Sequence, residues 1–272
     1  MNFIRELKLY KPFAINVFQK NLSYKANVVV FVIGDSIMLV VTYFLWNAIF
    51  KSSSNSVLNG FSFNEMVVYV LISFLTDSLI RTDTSYGVAS EVKDGSIAIN
   101  LIRPINYQKR MLFQALGDVL FNFVLIFIIG FMGVSVYCYL NEISLSIFSL
   151  IGYFVSIIMG ILLNFYYSYS FGLLSFKLTN MWGLTQIMGA IMQLLSGMLI
   201  PIIFFPIWAQ GIFKFLPFSS MIYTPTMIYL GKITGKELFN ALMLQFIWIV
   251  ILAFISKVIW KKLIKHLVIL GG

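Results

Sequence analysis

The sequence predicts an all-α polytopic membrane protein with six transmembrane helices, an N-terminal interfacial amphipathic helix and a re-entrant extracellular helical hairpin between helices 5 and 6, both termini being cytoplasmic. Three observations carry that prediction. Apolar residues make up 60% of the chain and charged residues only 11%, with a mean hydropathy of +0.93, which cannot be folded behind one water-facing shell. The 272 residues allow about six crossings at roughly 20 residues each and leave little for a soluble domain. Finally, the basic residues behind the net charge of +9 gather at the ends of apolar runs, so they report topology rather than a nucleic-acid partner.

The first 25 residues contain no cleavable signal: the first apolar run begins near Val28, is too long for a signal core and lacks a small-residue cleavage site. Phe3, Ile4, Leu7, Tyr10, Ala14, Val17 and Phe18 recur at helical spacing, with Arg5, Glu6, Lys8, Lys11, Gln19 and Lys20 mostly opposite them. Such a helix is expected to lie in the cytoplasmic interface, and Pro12 to kink or break it.

Crossings are expected over residues 28–50, 61–80, 112–137, 145–176, 181–200 and 238–260. The fourth is longer than a bilayer requires and must tilt, kink at a glycine or project into the cytosol. Residues 51–60 and the pair Asn141-Glu142 form outside connections, residues 177–180 a minimal inside turn, and the tail KKLIKHLVILGG returns to the cytosol. On this topology 15 Lys and Arg fall inside (5 + 5 + 1 + 4), against Lys51, Lys214, Lys232 and Lys236 outside; together they account for all 19. That imbalance fixes both termini as cytoplasmic.

The longest polar interruption, residues 81–112, carries Arg81, Lys93, Arg103, Lys109 and Arg110 and is expected to face the cytosol. Glu91-Val92-Lys93-Asp94-Gly95 reads as a short surface helix stopped at the glycine, after which Ile97, Ile99, Leu101, Ile102 and Ile105 lead the chain back to the membrane. Residues 201–236 are equally apolar but are cut by Pro201, Pro206, Pro217 and Pro225. They read as two short helices that dip into the outer leaflet and return, or else as an outside loop with Trp208 and Tyr223 as interfacial anchors.

Charges in hydrocarbon are costly and mark pathways or paired sites. Asp35, Asp77 and Asp118 fall in the cytoplasmic halves of the first three crossings. Asp77 has Arg81 one turn away, whereas Asp35 has no sequence-local basic partner. Asp35, Asp118, Asn164 and Tyr167 are the candidates for a substrate pathway, with structural hydrogen bonding between helices as the other role open to them. The aromatic cluster from Phe165 to Tyr169 and that of Phe204, Phe205 and Trp208 suit either lipid contact or an amphipathic cargo. One cysteine, Cys138, and one histidine, His266, preclude an intrachain disulfide and make a metal site unexpected.

The loop EVKDGSIAINLIRPIN and the stretch SGMLIPIIFFPIWAQGIFKFLPFSSMIYTPTMIYLGK resemble the patterned segments of ABC-2 type transporter permeases, and the order of elements is similar along nearly the whole chain. The resemblance implies one permease domain over residues 1–272, comprising the interfacial helix (1–25), a coupling loop (81–112) and the outer hairpin (201–236) that includes Pro201, Pro206, Pro217 and Phe218. It implies that Val88, Glu91, Val92, Lys93, Asp94, Gly95 and Ile97 contact an ATPase subunit, present in two copies and carrying ATP and magnesium. A second permease, identical or homologous, would complete the assembly, surrounded by lipid and with no nucleic acid. The chain itself has no G-x-x-x-x-G-K-[ST] phosphate cradle and no cofactor or catalytic residue is expected in it.

Export of an amphipathic substrate across a bacterial cytoplasmic membrane is the expected activity. Its alternatives are a proton-coupled carrier using Asp35 and Asp118, a passive scaffold and an intramembrane enzyme. The carrier lacks repeated halves, and the enzyme lacks a convergent nucleophile, base or metal set.

Overall fold

The computed structural model describes residues 3–178 and 181–264; His266 in the basic tail and the last two residues of the expected inside turn lie outside the described residues. The chain is built almost wholly of helices. α1 (Phe3–Ser23) leads into α2 (Lys25–Ser52), and a two-stranded clip, β1 (Val57–Leu58) with β2 (Phe61–Ser62), opens α3 (Phe63–Ile80). α4 (Thr84–Lys93) and α5 (Ser96–Ile102) form the polar loop, followed by α6 (Tyr107–Asn122), a π-helical turn over Phe123–Phe127 and α7 (Ile128–Leu140). α8 (Ile147–Gly172) ends in a 3-10 turn over Leu173–Phe176, and α9 (Trp182–Leu195) follows. After a 3-10 turn at Ile202–Phe204 come three short helices, α10 (Ile207–Phe215), α11 (Pro217–Met221) and α12 (Tyr223–Tyr229), and finally α13 (Gly235–Leu263).

Among the described residues, five helical segments are long and apolar enough to cross a membrane: Val32–Ser52, Phe63–Lys93, Tyr107–Leu140, Ile147–Phe176 and Gly235–Leu263. The expected fifth crossing, residues 181–200, is not such a segment. Its helix α9 has 14 residues, about 21 Å at 1.5 Å per residue, against a hydrocarbon core of about 30 Å. The helix ends because Gly197 takes φ +77°, a conformation that side-chain-bearing residues avoid, and the chain turns toward the hairpin. Carbonyls freed by this break are captured. Tyr69 Oη donates to Gly197 O at 2.6 Å, Ser73 Oγ to Met198 O at 3.1 Å, and Trp46 Nε1 to Leu199 O at 3.4 Å. Irregular backbone at this depth persists only with such partners.

The prolines of residues 201–236 do prevent a crossing, yet the segment folds as three short α-helices and a 3-10 turn rather than two helices. Its first half stays exposed at Ile207 and Trp208, whereas Met221 to Tyr229 are buried against α3 and α8. Lys232 closes the hairpin, donating to Glu65 Oε1 and to Gly60 O, both at 2.7 Å, with its ammonium 4.4 Å from the centre of the Phe61 ring.

α1 also differs from expectation. It runs unbroken through Pro12, which lies on its exposed side where the lost hydrogen bond meets no packed neighbour. Its apolar face packs onto α6 instead of only lying on lipid: Tyr10 stacks on Phe113 at 5.4 Å, Phe18 meets Phe121 at 6.0 Å, and Lys109 Nζ reaches Glu6 at 2.8 Å.

α3 and α8 form the centre of the bundle. The surplus length of the fourth crossing is accommodated at its basic end, where α8 closes on α4. A Cβ at Gly172 would stand 3.0 Å from both Ser85 Cα and Val88 Cβ, so only glycine permits this approach. Gly172→Val is therefore expected to push α4 away from α8. The check is hydrogen exchange, with amides of residues 84–93 losing protection at least tenfold while those of α3 keep theirs.

Candidate functional site

Two features occupy the basic end of the bundle, the α4–α5 loop with its anchor and a pair of cavities beside it. α4 stops at Lys93, where Asp94 N–H still bonds Ser90 O at 2.9 Å, and Gly95 then takes φ +75° and turns the chain into α5. The Asp94 carboxylate accepts the Ser96 N–H at 2.9 Å, and hydrogen bonds from Ser96 hold its carboxyl below the usual carboxylate range. At the far end Asn106 caps α6 by accepting Lys109 N–H at 2.9 Å, while Asn106 N–H donates to Tyr10 Oη at 2.9 Å.

The anchor is a buried ion pair. Arg110 Nη2 donates to both oxygens of Glu91 at 2.6 and 2.7 Å, and Tyr107 Oη donates to the same carboxylate at 3.0 Å. Arg110 is only 4% exposed, so the cost of burying its charge is offset chiefly by this partner. The guanidinium also lies 4.8 Å from the centre of the Tyr107 ring, and that ring stacks on Trp260 of α13 at 4.9 Å with an 11° interplanar angle. Gln108 Nε2 adds a second tie to α13 through Ser256 Oγ at 2.9 Å. α4, α6 and α13 are thereby joined around one charged pair.

Of the loop residues singled out in the sequence, Val88 and Ile97 are buried inside the chain, and Glu91 is engaged with Arg110 and Tyr107. Val92 is half-buried, Gly95 is the turn, and Lys93 and Asp94 face outward. The exposed apolar residues are instead Ile99 at 58% and Ile102 at 83%, on α5. Sequence reasoning assigned these two to the return into the membrane. A seven-residue helix is too short for its periodicity to separate an inward from an outward face.

The two cavities share Asp35, Arg81, Thr82 and Asp83 as a common wall. One, about 350 Å³, lies between α1, α2, α3 and α6 and includes Asp118 and Asn122. The other, about 400 Å³, lies between α2, α3, α8 and α9 and includes Asp77, Asn164 and Tyr167. The candidate pathway residues thus divide between neighbouring cavities, with Asp35 in both. Arg81 holds the dividing wall through Nη1 to Asp35 at 3.2 Å and Nη2 to Asp77, one turn earlier on α3. Asp118 accepts Asn21 Nδ2 at 2.9 Å and Asp83 N–H at 3.3 Å. Asn164 is tied down as well, donating to Ile80 O at 2.6 Å at the end of α3. Both residues therefore line a cavity and brace helices at once.

At the opposite end, Pro201 and Pro217 are buried, Pro206 is exposed, and Phe218 meets Tyr167 edge-on at 5.4 Å. The outer hairpin thereby touches the same helix face that lines the larger cavity. Among the described residues no group of three or more His, Cys, Asp or Glu is placed to hold a metal ion.

A bundle of membrane-length helices with an anchored polar loop between the second and third is the setting in which the family comparison decides. The family model described as ABC-2 family transporter protein matches residues 36–271. The chain belongs to the ABC-2 transporter family. Among curated proteins none matches it. As an ABC-2 permease it is a multi-pass membrane protein, and this membership does not favour the proton-coupled carrier.

In the permease the Glu91–Arg110 pair makes a quantitative prediction. Removing either partner alone leaves a buried charge unpaired and costs about 3–5 kcal/mol, whereas removing both with shape-matched neutral residues is far milder. Glu91→Gln and Arg110→Met are each expected to lower the thermal midpoint of the purified permease strongly, and the double variant to regain most of the loss. Additive losses in this cycle would show that the two side chains do not act as a pair.

Proposed function

We propose that this permease is the membrane subunit of an ATP-binding cassette exporter in a bacterial cytoplasmic membrane. It pairs with a second permease, identical or homologous, and two copies of a separate ATPase drive it. The basic end of the bundle is then the cytoplasmic end, in keeping with the 15-to-4 distribution of Lys and Arg read from the sequence. ATP and magnesium are held by the partner, since this chain carries no phosphate-binding loop.

One observation carries the reading: the α4–α5 loop is stiff behind and apolar in front. Ile99 and Ile102 project from α5 with Lys93, Asp94 and Arg103 around them, which is the make-up of a small docking surface with an apolar centre and a charged rim. Behind that tip, Glu91, Arg110, Tyr107 and Trp260 tie the loop to α6 and α13, and Val88 packs against α8 at Gly172. A push on the tip therefore moves three long helices together. Val88, Glu91 and Ile97 serve as the inner, force-bearing side, and Lys93, Asp94, Ile99 and Ile102 as the contact side. The cavities next to this joint receive an amphipathic cargo, and α9, which buries no residue fully, is the wall that moves most easily.

Affinity-tagged permease isolated from its native membrane is expected to bring down an ATP-hydrolysing subunit. Ile99→Ser with Ile102→Ser removes the apolar centre without touching the buried anchor and is expected to reduce that capture at least tenfold. Wild-type permease that brings down no ATPase, in a membrane shown to contain one, would overturn the reading.

A further inference from the structure

We infer that the larger cavity, between α2, α3, α8 and α9, binds an organic cation with an apolar body; this rests on the exporter reading only for the identity of that cation as cargo. The cavity is about 400 Å³, within the range of small-molecule sites. Its two sides are chemically unlike. On the α2–α3 side stand Asp35, Asp77 and Asp83 with Arg81, three negative charges against one positive, a formal net of −2 in a chain whose overall charge is +9. The carboxylates alone define no site; the wall facing them does. α9 contributes Met188 and Met192, with Met181 just ahead of it, and α8 contributes Tyr167 and Phe171; neutral polar groups such as Thr185 and Gln186 stand among them, and no charge does. Thioethers adapt to irregular apolar shapes, and aromatic faces attract cations, so this wall accepts the body of a ligand whose charge faces the carboxylates.

Arg81 shows how the charge is read. Its guanidinium already occupies the place of a bound cation, bridging α2 and α3 through Asp35 and Asp77. The Asp35 side is the weaker link: its contacts are 3.2 and 3.5 Å, and Asp35 is the more exposed of the two carboxylates. A ligand cation displaces Arg81 from Asp35 while Asp77, one helical turn away, keeps the arginine paired. Exchange of one cation for another costs far less than burying a new unpaired charge, and it frees α2 from α3 at the cavity. An anion with the same apolar body meets only Arg81, whose single charge Asp35 and Asp77 already share, and the net charge of this side repels it.

Tetraphenylphosphonium and tetraphenylborate share one apolar shape and carry opposite charge, which makes them the direct probe. Equilibrium dialysis of the purified full-length permease, without ATPase, is expected to show saturable tetraphenylphosphonium binding at least tenfold tighter than that of tetraphenylborate. Asp35→Asn, which keeps size and hydrogen bonding, is expected to weaken the phosphonium at least fivefold. Gln193→Lys, on the exposed rim of the α9 wall, is expected to do the same by adding charge and decides the matter if the first variant unfolds. Equal binding of the two ions, or unchanged phosphonium binding in a folded variant, would overturn the inference. Because no ATPase takes part, this result stands or falls apart from the capture experiment above.

Discussion

The Glu91–Arg110 pair is the contact on which the basic end of this permease depends. A guanidinium 4% exposed is costly to bury without a partner, and here the partner sits on a different helix, 19 positions earlier in the chain. The pair dictates where α4 lies on α6. Once it is in place, Tyr107 is set between Glu91 and Trp260, Val88 falls against Gly172, and the surplus length of α8 becomes a support for the loop rather than a free end. What begins as the longest polar stretch in an apolar chain thus becomes a rigid extension of the membrane helices. The loop's charged residues are spent mainly on internal cohesion, and its outward face is left to two isoleucines and a few polar neighbours.

A second constraint comes from the hydrocarbon itself, which offers no partners to a broken helix. α9 turns off at Gly197, and Tyr69, Ser73 and Trp46 supply donors to the carbonyls that follow, so the break leaves them satisfied. The break lets the hairpin turn back and bury α11 and α12 between α3 and α8. It also leaves α9 lightly packed along the larger cavity. The molecule therefore combines a stiff joint, made by α4 with α6, α8 and α13, with one compliant wall. Under the proposed exporter reading, the larger cavity would lie between the element that a partner moves and the wall that yields to it.

Much of this was legible in the sequence, and what was not has identifiable physical reasons. Composition and run length located α2, α3, the continuous α6–α7 segment, α8 and α13 to within a few residues, and the prolines of residues 201–236 marked a segment that folds as short helices. Gly95 could be read as a stop because a left-handed turn has a residue preference. Hydropathy measures apolar length, which residues 181–200 have, and so gives no sign that the helix there ends at Leu195; the turn at Gly197 is held by donors more than 120 positions away. Likewise Asp35 looked unpartnered because its partner, Arg81, lies 46 residues further on, and Glu91 looked available for docking because Arg110 belongs to the next helix. Asn164 and Asp118 stand out in the sequence as polar groups in an apolar setting, but spacing could not reveal that each both braces a helix and borders a cavity.

The central claim is that the charged pair transmits movement as well as holding the fold. The double variant Glu91→Gln with Arg110→Met separates these, since it removes the pair without stranding a charge. Reconstituted with the proposed ATPase subunit, it can be compared with wild type for export of the proposed cargo per ATP hydrolysed. The account predicts that the double variant binds the ATPase and hydrolyses ATP yet exports at least tenfold less cargo per ATP. Unchanged export per ATP in a variant that has lost the pair would contradict it.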